Sequence, residues 1–323
     1  MRAAVYGRYG PPEVVRLGEV ETPVPKDDEI RIRIRATTVT AGDHRARSLD
    51  LPPGSGPVGR LVLGVRGPRQ PILGSELAGD VEAAGKDVRR FRVGDAVVTF
   101  AGAKMGCHAE YRCMPEDGAV VPKPARLSYA EAASIPFGGT TALHFLRKAR
   151  LARGERVLVN GASGAVGTAC VQLARHLGAE VTAVCSAGNA ELVRSLGATH
   201  VVDHAREDFT RDGRGYDVIV DAVGTAPLSR CKASLAPRGR LALVVASLPE
   251  MLRSPWATLG SGRRVIVGVA LGSPGDLRQL VELAEAGALA PVVDRSFPLE
   301  EIVEAHRYVD AGHKRGGVVV TVA

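Results

Sequence analysis

The chain has 323 residues, 45% hydrophobic and 24% charged, a composition that excludes a fibrous or disordered polymer and is long enough for two domains with cores of their own. The net charge is +7, but the arginines are spread along the chain and "RIRIR" at 31–35 alternates with apolar residues like a strand with one wet face, so no specific nucleic-acid partner is expected. No apolar run approaches the ~20 residues of a membrane helix, the first residues form no apolar signal core, and the scattered cysteines contain no C-x-x-C pair, so a cytoplasmic protein without membrane partner, disulfide framework or zinc knuckle is expected.

In chain order, short strands come first: "AAVYG", "VVRLGEV", "EIRIRIRATTV", "GSELAGDVEAAG" and "GDAVVTF", separated by turn residues. The Pro/Gly-rich span from Leu51 to Gly74 shows no helical periodicity and reads as a long surface loop that can overhang a cleft. The rhythm changes near Val121. Ser128 with Glu131 forms a capping box, and the helix it opens is expected to resume after a break at Gly138-Gly139. Strands at Arg156–Asn160, Glu180–Cys185, His200–Asp203, Asp217–Ala222, Arg240–Val245 and Arg263–Ala270 then alternate with helices. That alternation predicts an α/β protein whose second part is a parallel, doubly wound sheet.

The chemistry-bearing stretch follows the first of these strands. Gly161-Ala162-Ser163-Gly164-Ala165-Val166-Gly167 stands between an apolar strand and a helix with one apolar face, where glycines allow a tight turn and close backbone approach to a pyrophosphate. The helix N-terminus supplies unpaired N–H groups to the anion. A carboxylate normally ends the second strand and binds a free ribose 2′-OH; here Ser186, Gly188 and Asn189 offer donors without negative charge, which favours NADPH over NADH. No Arg or Lys stands in that loop, and a site with little preference between the two cofactors is the alternative. Gly161, Ser163, Gly164, Ala165, Val166, Gly167, Ser186 and Asn189, with Thr141, Val223 and Gly224, make up the expected cofactor-binding set.

Three stretches, "PILGSELAGDVEAAGKDVRRFRVGDAVVTF", "HAEYRCMPEDGAVVPKPARLSYAEAASIPFGGTTALHFL" and "VLVNGASGAVGTACVQLARHLGAEVTAVCS", together resemble the medium-chain dehydrogenase/reductase superfamily, in its zinc-free quinone-oxidoreductase branch. The resemblance implies a GroES-like, β-rich substrate domain made from both chain ends (1–122 and 272–323), a Rossmann domain between them (123–271), and NADPH in the cleft. Zinc-dependent relatives carry ligands where this chain has Ala41, Ser75 and Gly139, so no metal site is expected. Relatives also pair the strand expected at Arg263–Ala270 across a two-fold axis, which implies a homodimer.

Without a Lewis acid, a conjugated acceptor is a better substrate than a simple alcohol or aldehyde, because its π-system delocalises the developing charge. The expectation is therefore an NADPH-dependent reductase of quinones or α,β-unsaturated carbonyl compounds; a catalytically silent NADPH-binding redox sensor or scaffold is the alternative. Relatives often carry Asn-x-x-Asp after the third strand, where this chain reads Thr40-Ala41-Gly42-Asp43-His44. Asp43 and His44 are thus the candidate proton donors, against the simpler possibility that Asp43 caps a short helix and His44 faces solvent. His108 either faces the cleft or packs.

Overall fold

The computed structural model of the protein describes residues 1–323, apart from the side chains of 257–261. The first part contains β1 (Arg2–Val5), β2 (Arg16–Glu19), β3 (Glu29–Val39), α1 (Ala41–Ser48), α2 (Gly56–Leu63), β4 (Glu76–Ala84), β5 (Ala96–Phe100), β6 (Tyr111–Pro115) and β7 (Val120–Pro122). The middle part runs α3 (Tyr129–Ala133), α4 (Pro136–Ala149), β8 (Arg156–Asn160), α5 (Ala165–His176), β9 (Glu180–Cys185), α6 (Ala190–Ser195) and β10 (His200–Asp203). It continues through β11 (Tyr216–Asp221), α7 (Leu228–Cys231), β12 (Leu235–Leu243), α8 (Leu248–Ser261) and β13 (Arg264–Ile266). The end is α9 (Pro274–Glu285), β14 (Val293–Pro298), α10 (Ile302–Asp310) and β15 (Gly317–Thr321).

Three sheets form. β1 and β2 make a small hairpin; β14-β15-β3-β4-β5-β7, with β6 on β3, make a mixed sheet joining both chain ends; β10-β9-β8-β11-β12-β13 make a six-stranded parallel sheet. Pairing in the last is parallel throughout, with the order reversing between β8 and β11, the doubly wound arrangement the βα alternation predicts. Its strands are apolar on both faces. Val157 and Val159 join the cluster under α4 and α5, whereas Leu158 between them joins Ile219, Leu241 and Leu243 on the opposite side. In the mixed sheet Ile30, Ile32 and Ile34 point inward against Leu77, Ile302 and Val320. The intervening Arg31 and Arg35 reach Glu82 and Asp80 at the surface, which accounts for the charge alternation of "RIRIR".

Three expectations are corrected. The span 51–74 is not all loop: Gly56-Pro57 opens α2, because a proline early in the first turn is compatible with helix, and its Val58, Leu61 and Val62 stay exposed. The break in the helix after Ser128 falls at Ser134-Ile135, and Gly138-Gly139 lie inside α4. They are there for contact. A Cβ on Gly138 would stand 2.3 Å from the Ala165 carbonyl oxygen, and one on Gly139 2.9 Å from Leu280. The strand expected at Arg263–Ala270 is only Arg264–Ile266, since it pairs with β12 alone and leaves the sheet before Gly268, whose φ is +144°. Two helices make contacts between the chain ends and the middle part: α3 packs on β3 and β4, and Leu277 and Leu280 of α9 pack beside α4.

Candidate functional site

β8 ends in the glycine loop. Gly161 has φ +79°, and a side chain there would meet Val223 at 2.5 Å. Gly164 is the N-cap of α5 without a side-chain cap, so the first amides of that helix keep no intrahelical partner. Gly167 packs the helix onto the loop, since its Cβ would lie 2.1 Å from the Gly161 oxygen. Beside Gly164 the space is open, the nearest atom being 3.7 Å from an added Cβ, which is a cradle suited to close approach by a pyrophosphate. On the β9 side, Asn189 Nδ2 donates to both Ser163 Oγ and Ser186 Oγ at 3.1 Å, so three expected residues form one polar cluster. These features fit a dinucleotide.

Thr141 is placed differently. Its hydroxyl donates to the Phe137 carbonyl at 2.7 Å within α4 and is committed there. Val223 and Gly224 stand on the far side of β8 from Ser186, held by a residue the sequence reading missed. The buried Asp221 accepts from the amides of Val223 (3.1 Å), Gly224 (3.0 Å) and Ala226 (2.7 Å), and Asn160 Nδ2 donates to it at 3.0 Å. The only signal was an Asp ending the apolar run Val218–Val220.

Across from this turn, the loop after α1 meets the start of α8, where the Leu248 amide donates to the Pro53 carbonyl at 3.0 Å. They enclose a cleft of about 540 Å³ lined by Arg45, Asp50 and Pro53 on one wall and Val223, Val245 and Arg253 on the other. Its size suits a small-molecule substrate beside one end of the cofactor. The C-terminal segment closes the opposite side, the Gly316 amide donating to the Ser163 carbonyl at 2.8 Å.

Asp43 is fully buried and its carboxylate accepts three hydrogen bonds: Thr40 N (2.8 Å), Thr40 Oγ1 (2.6 Å) and Gly74 N (2.8 Å) all donate to it, in a capping box that starts α1. His44 does not line the cleft but touches its wall through Asp50, 3.4 Å from its Nε2, while its Nδ1 lies 2.7 Å from Asp310. His108 does not face the cleft; it is buried, with Nε2 2.9 Å from the Thr38 carbonyl and its ring edge-on to His306. Of the three positions occupied by zinc ligands in relatives, Ala41 and Gly139 offer no donor atom and Ser75 only a buried hydroxyl.

Next to Ser75 lies Glu76, buried between the Thr38 hydroxyl and the Phe137 amide, which donates at 2.5 Å. Burial pushes its carboxyl up to about 8, opposed by those two hydrogen bonds and by Lys314, and assisted by Asp43. Burial pulls Lys314 down to about 8, opposed by Glu76 and Asp294. A raised carboxyl holds a proton in the folded state that the unfolded chain has released, so stability falls as pH rises from the ordinary 4.5 towards 8. The lowered lysine has the opposite slope above 8. Relative to Glu76→Gln, the natural protein is expected to lose the equivalent of ~3 kcal/mol between pH 5 and 8 in urea unfolding, a difference in which the opposite slope from the buried, lowered His306 cancels. A fall of the same size in both would remove Glu76 as its source.

Residues 26–125 match the family described as alcohol dehydrogenase GroES-like domain, and residues 196–320 the family described as zinc-binding dehydrogenase. The NAD(P)H oxidoreductase RTN4IP1, mitochondrial, of Bos taurus is 30% identical over 100% of this chain and 89% of its own length. The 2-methylene-furan-3-one reductase of Solanum lycopersicum is 31% identical over 99% and 79%, respectively. The quinone oxidoreductase structure from Coxiella burnetii superposes with a TM-score of 0.89 at 29% identity, covering 100% of this chain and 99% of that one.

Proposed function

The chain belongs to the medium-chain dehydrogenase/reductase superfamily, in its quinone-oxidoreductase-like branch, and from that premise we propose that this oxidoreductase is an NADPH-dependent, zinc-independent reductase of quinones or α,β-unsaturated carbonyl compounds. The observation that carries the reading is the cleft between the loop after α1 and the ends of β11 and β12, set directly beside the glycine loop. The residues of the glycine loop would hold a nicotinamide dinucleotide, which in its reduced form would supply the hydride for an acceptor in the cleft. The test is cofactor oxidation with a panel of quinones, enones, aldehydes and alcohols after exhaustive chelation; activity lost with the metal would overturn the zinc-independent part.

Catalysis by this chain's own residues is then orientation and proton supply. The acceptor lies against Val223 and Val245. His44, held at Nδ1 by Asp310, directs Nε2 towards Asp50 on the cleft wall and carries the proton. Asp43 is a positioning residue, since its carboxylate is fully buried, accepts three hydrogen bonds from the protein and holds the start of α1. Thr141 shapes α4, and Ser163, Ser186 and Asn189 meet the adenosine end. The substrate unit takes 1–122 and 272–323, the cofactor unit 123–271, with α3 and α9 packing across.

Preference for the 2′-phosphate rests on Ser186, with Arg194 close enough to act on the neighbouring Cys185 thiol. Asp203, which also acts on that thiol, accepts from the Ala205 amide at 3.1 Å and lies 3.7 Å from Arg206, which tempers its repulsion. Fluorescence titration is expected to show NADPH binding about tenfold tighter than NADH, and Ser186→Asp to erase or reverse that ratio. Equal affinities in the unmodified protein would refute it.

Assembly follows from the sheet edge. β13 ends the parallel sheet, and Val269 and Leu271 just beyond it are 72% and 76% exposed. A second copy related by a two-fold axis covers this edge. Light scattering at micromolar concentration is expected to give twice the 33.9 kDa chain mass, and a monomer there counts against it.

A further inference from the structure

The cleft wall carries two guanidinium groups, a half-buried Arg45 and an exposed Arg253. Arg45, in the last turn of α1, and Arg253, in the second turn of α8, both line the cleft, one from each unit. Neither side chain has a hydrogen bond or close ion pair among the described residues, although most of the neighbouring charges do. Arg45 is half-buried, and burial pulls its pKa down, with only Asp50 acting through space to restore it. A partly desolvated cation without a partner is costly, and an anion entering the cleft would offset that cost.

The acids on the same walls are already engaged. Glu250 accepts from the Ser247 amide at 2.8 Å and hydroxyl at 2.7 Å in the capping box of α8, and Asp50 faces His44. Both acids thus have a partner within hydrogen-bond reach, whereas the two arginines have none among the described residues and Arg45 meets Asp50 only through space.

The cofactor does not account for them. Its pyrophosphate belongs on the glycine loop after β8, and the only other anionic group, the 2′-phosphate, belongs with Ser186 after β9. The cleft lies past the ends of β11 and β12, on the other side of β8. The end of the dinucleotide that reaches it bears no further phosphate.

We propose that the acceptor is an anion: a conjugated carbonyl compound bearing a carboxylate or phosphate group, which Arg45 and Arg253 grip from opposite walls of the cleft. This rests on reading the cleft as the reductase's substrate site. The guanidinium fork matches both oxyanions, and the two walls bring the cations from different units, so binding the anion also draws the units together.

The test uses saturated probes and the NADP+-loaded protein, in which binding is read without turnover. Calorimetric titration compares 4-oxopentanoate with its methyl ester, and with a phosphate ester of a ketone of similar length to separate the two oxyanions. The acids are expected to bind about tenfold or more tightly than the neutral ester, with the ratio falling to near one in Arg45→Met and Arg253→Met and partly retained in Arg45→Lys. Affinity for NADP+ is expected to change less than about twofold in all three variants. Equal binding of acid and ester overturns the inference, and so does a loss of NADP+ affinity in the arginine variants, which would give these residues to the cofactor. Retained preference for the acid, with no acceptor oxidising NADPH, supports the anion site and sinks the reductase reading instead.

Discussion

NADPH is expected to be consumed at least about a hundredfold faster with a 2-enone or quinone than with a saturated aldehyde of similar size, a gap of ~2.7 kcal/mol in transition-state free energy. The size of the gap follows from what the site can offer an isolated carbonyl. At the positions where zinc-dependent relatives coordinate their metal, this chain presents a methyl group, a buried hydroxyl and a glycine, none of which polarises an oxygen as a Lewis acid does. An isolated carbonyl must then develop full alkoxide charge with little stabilisation. A conjugated acceptor spreads that charge onto an enolate oxygen, which a hydrogen bond suffices to hold. His44→Ala is expected to lower kcat with an enone by about tenfold or more while NADPH affinity changes much less, because its ring is fixed by Asp310 near the cleft and away from the glycine loop. Full activity in that variant would assign the proton to solvent. A saturated alcohol as best substrate would sink the reductase reading itself, and NADPH binding without any acceptor would favour the catalytically silent alternative.

Two alanine substitutions three residues apart are expected to fail in opposite ways. At Gly167 a methyl group would stand 2.1 Å from the Gly161 oxygen and 2.6 Å from the Ala162 Cα, both backbone atoms that no rotamer change can move. The helix must shift, and Gly167→Ala is expected to cost roughly 3 kcal/mol of stability, read as a lower Tm and urea midpoint. Gly164 has φ −78° and ψ 175°, which any residue adopts, and an added Cβ meets nothing closer than 3.7 Å. Gly164→Ala is therefore expected to keep its stability within about 0.5 kcal/mol and still weaken NADPH binding about tenfold or more, because the methyl group occupies the cradle. If Gly164→Ala bound NADPH normally, the pyrophosphate would have to be placed elsewhere.

Local patterns were the legible part. The alternation of "EIRIRIRATTV" delimits β3 at Glu29–Val39, and the Ser128/Glu131 pair starts α3 with the reciprocal hydrogen bonds it encodes. The strand, glycine and helix sequence of 156–177 forms the loop expected of it. Each depends on residues within a few positions of one another, where periodicity and capping act directly. The misreadings came where glycine and proline serve contact rather than interruption. Gly138-Gly139 looks like a break but is a place where α4 touches α5 and α9, and Gly56-Pro57 looks like loop but opens a helix.

The sequence by itself determined the α/β class, the glycine loop and the absence of an acid after β9, because these are statements about which residue types stand at fixed spacing. Only the tertiary structure decided the working geometry of the site. Asp43 became a buried cap because Gly74, distant in the chain, brings its amide to the carboxylate, and Asp221 became the holder of Val223 and Gly224 because Asn160 lies on the adjacent strand. Glu76 acquired its raised pKa from burial against α4, whose Phe137 amide comes from 61 residues away. Arg45 of α1 and Arg253 of α8, more than two hundred residues apart in the chain, line one cleft. Charge, burial and hydrogen-bond saturation are properties of a residue's neighbours in space, and those neighbours are chosen only when the sheets and helices pack.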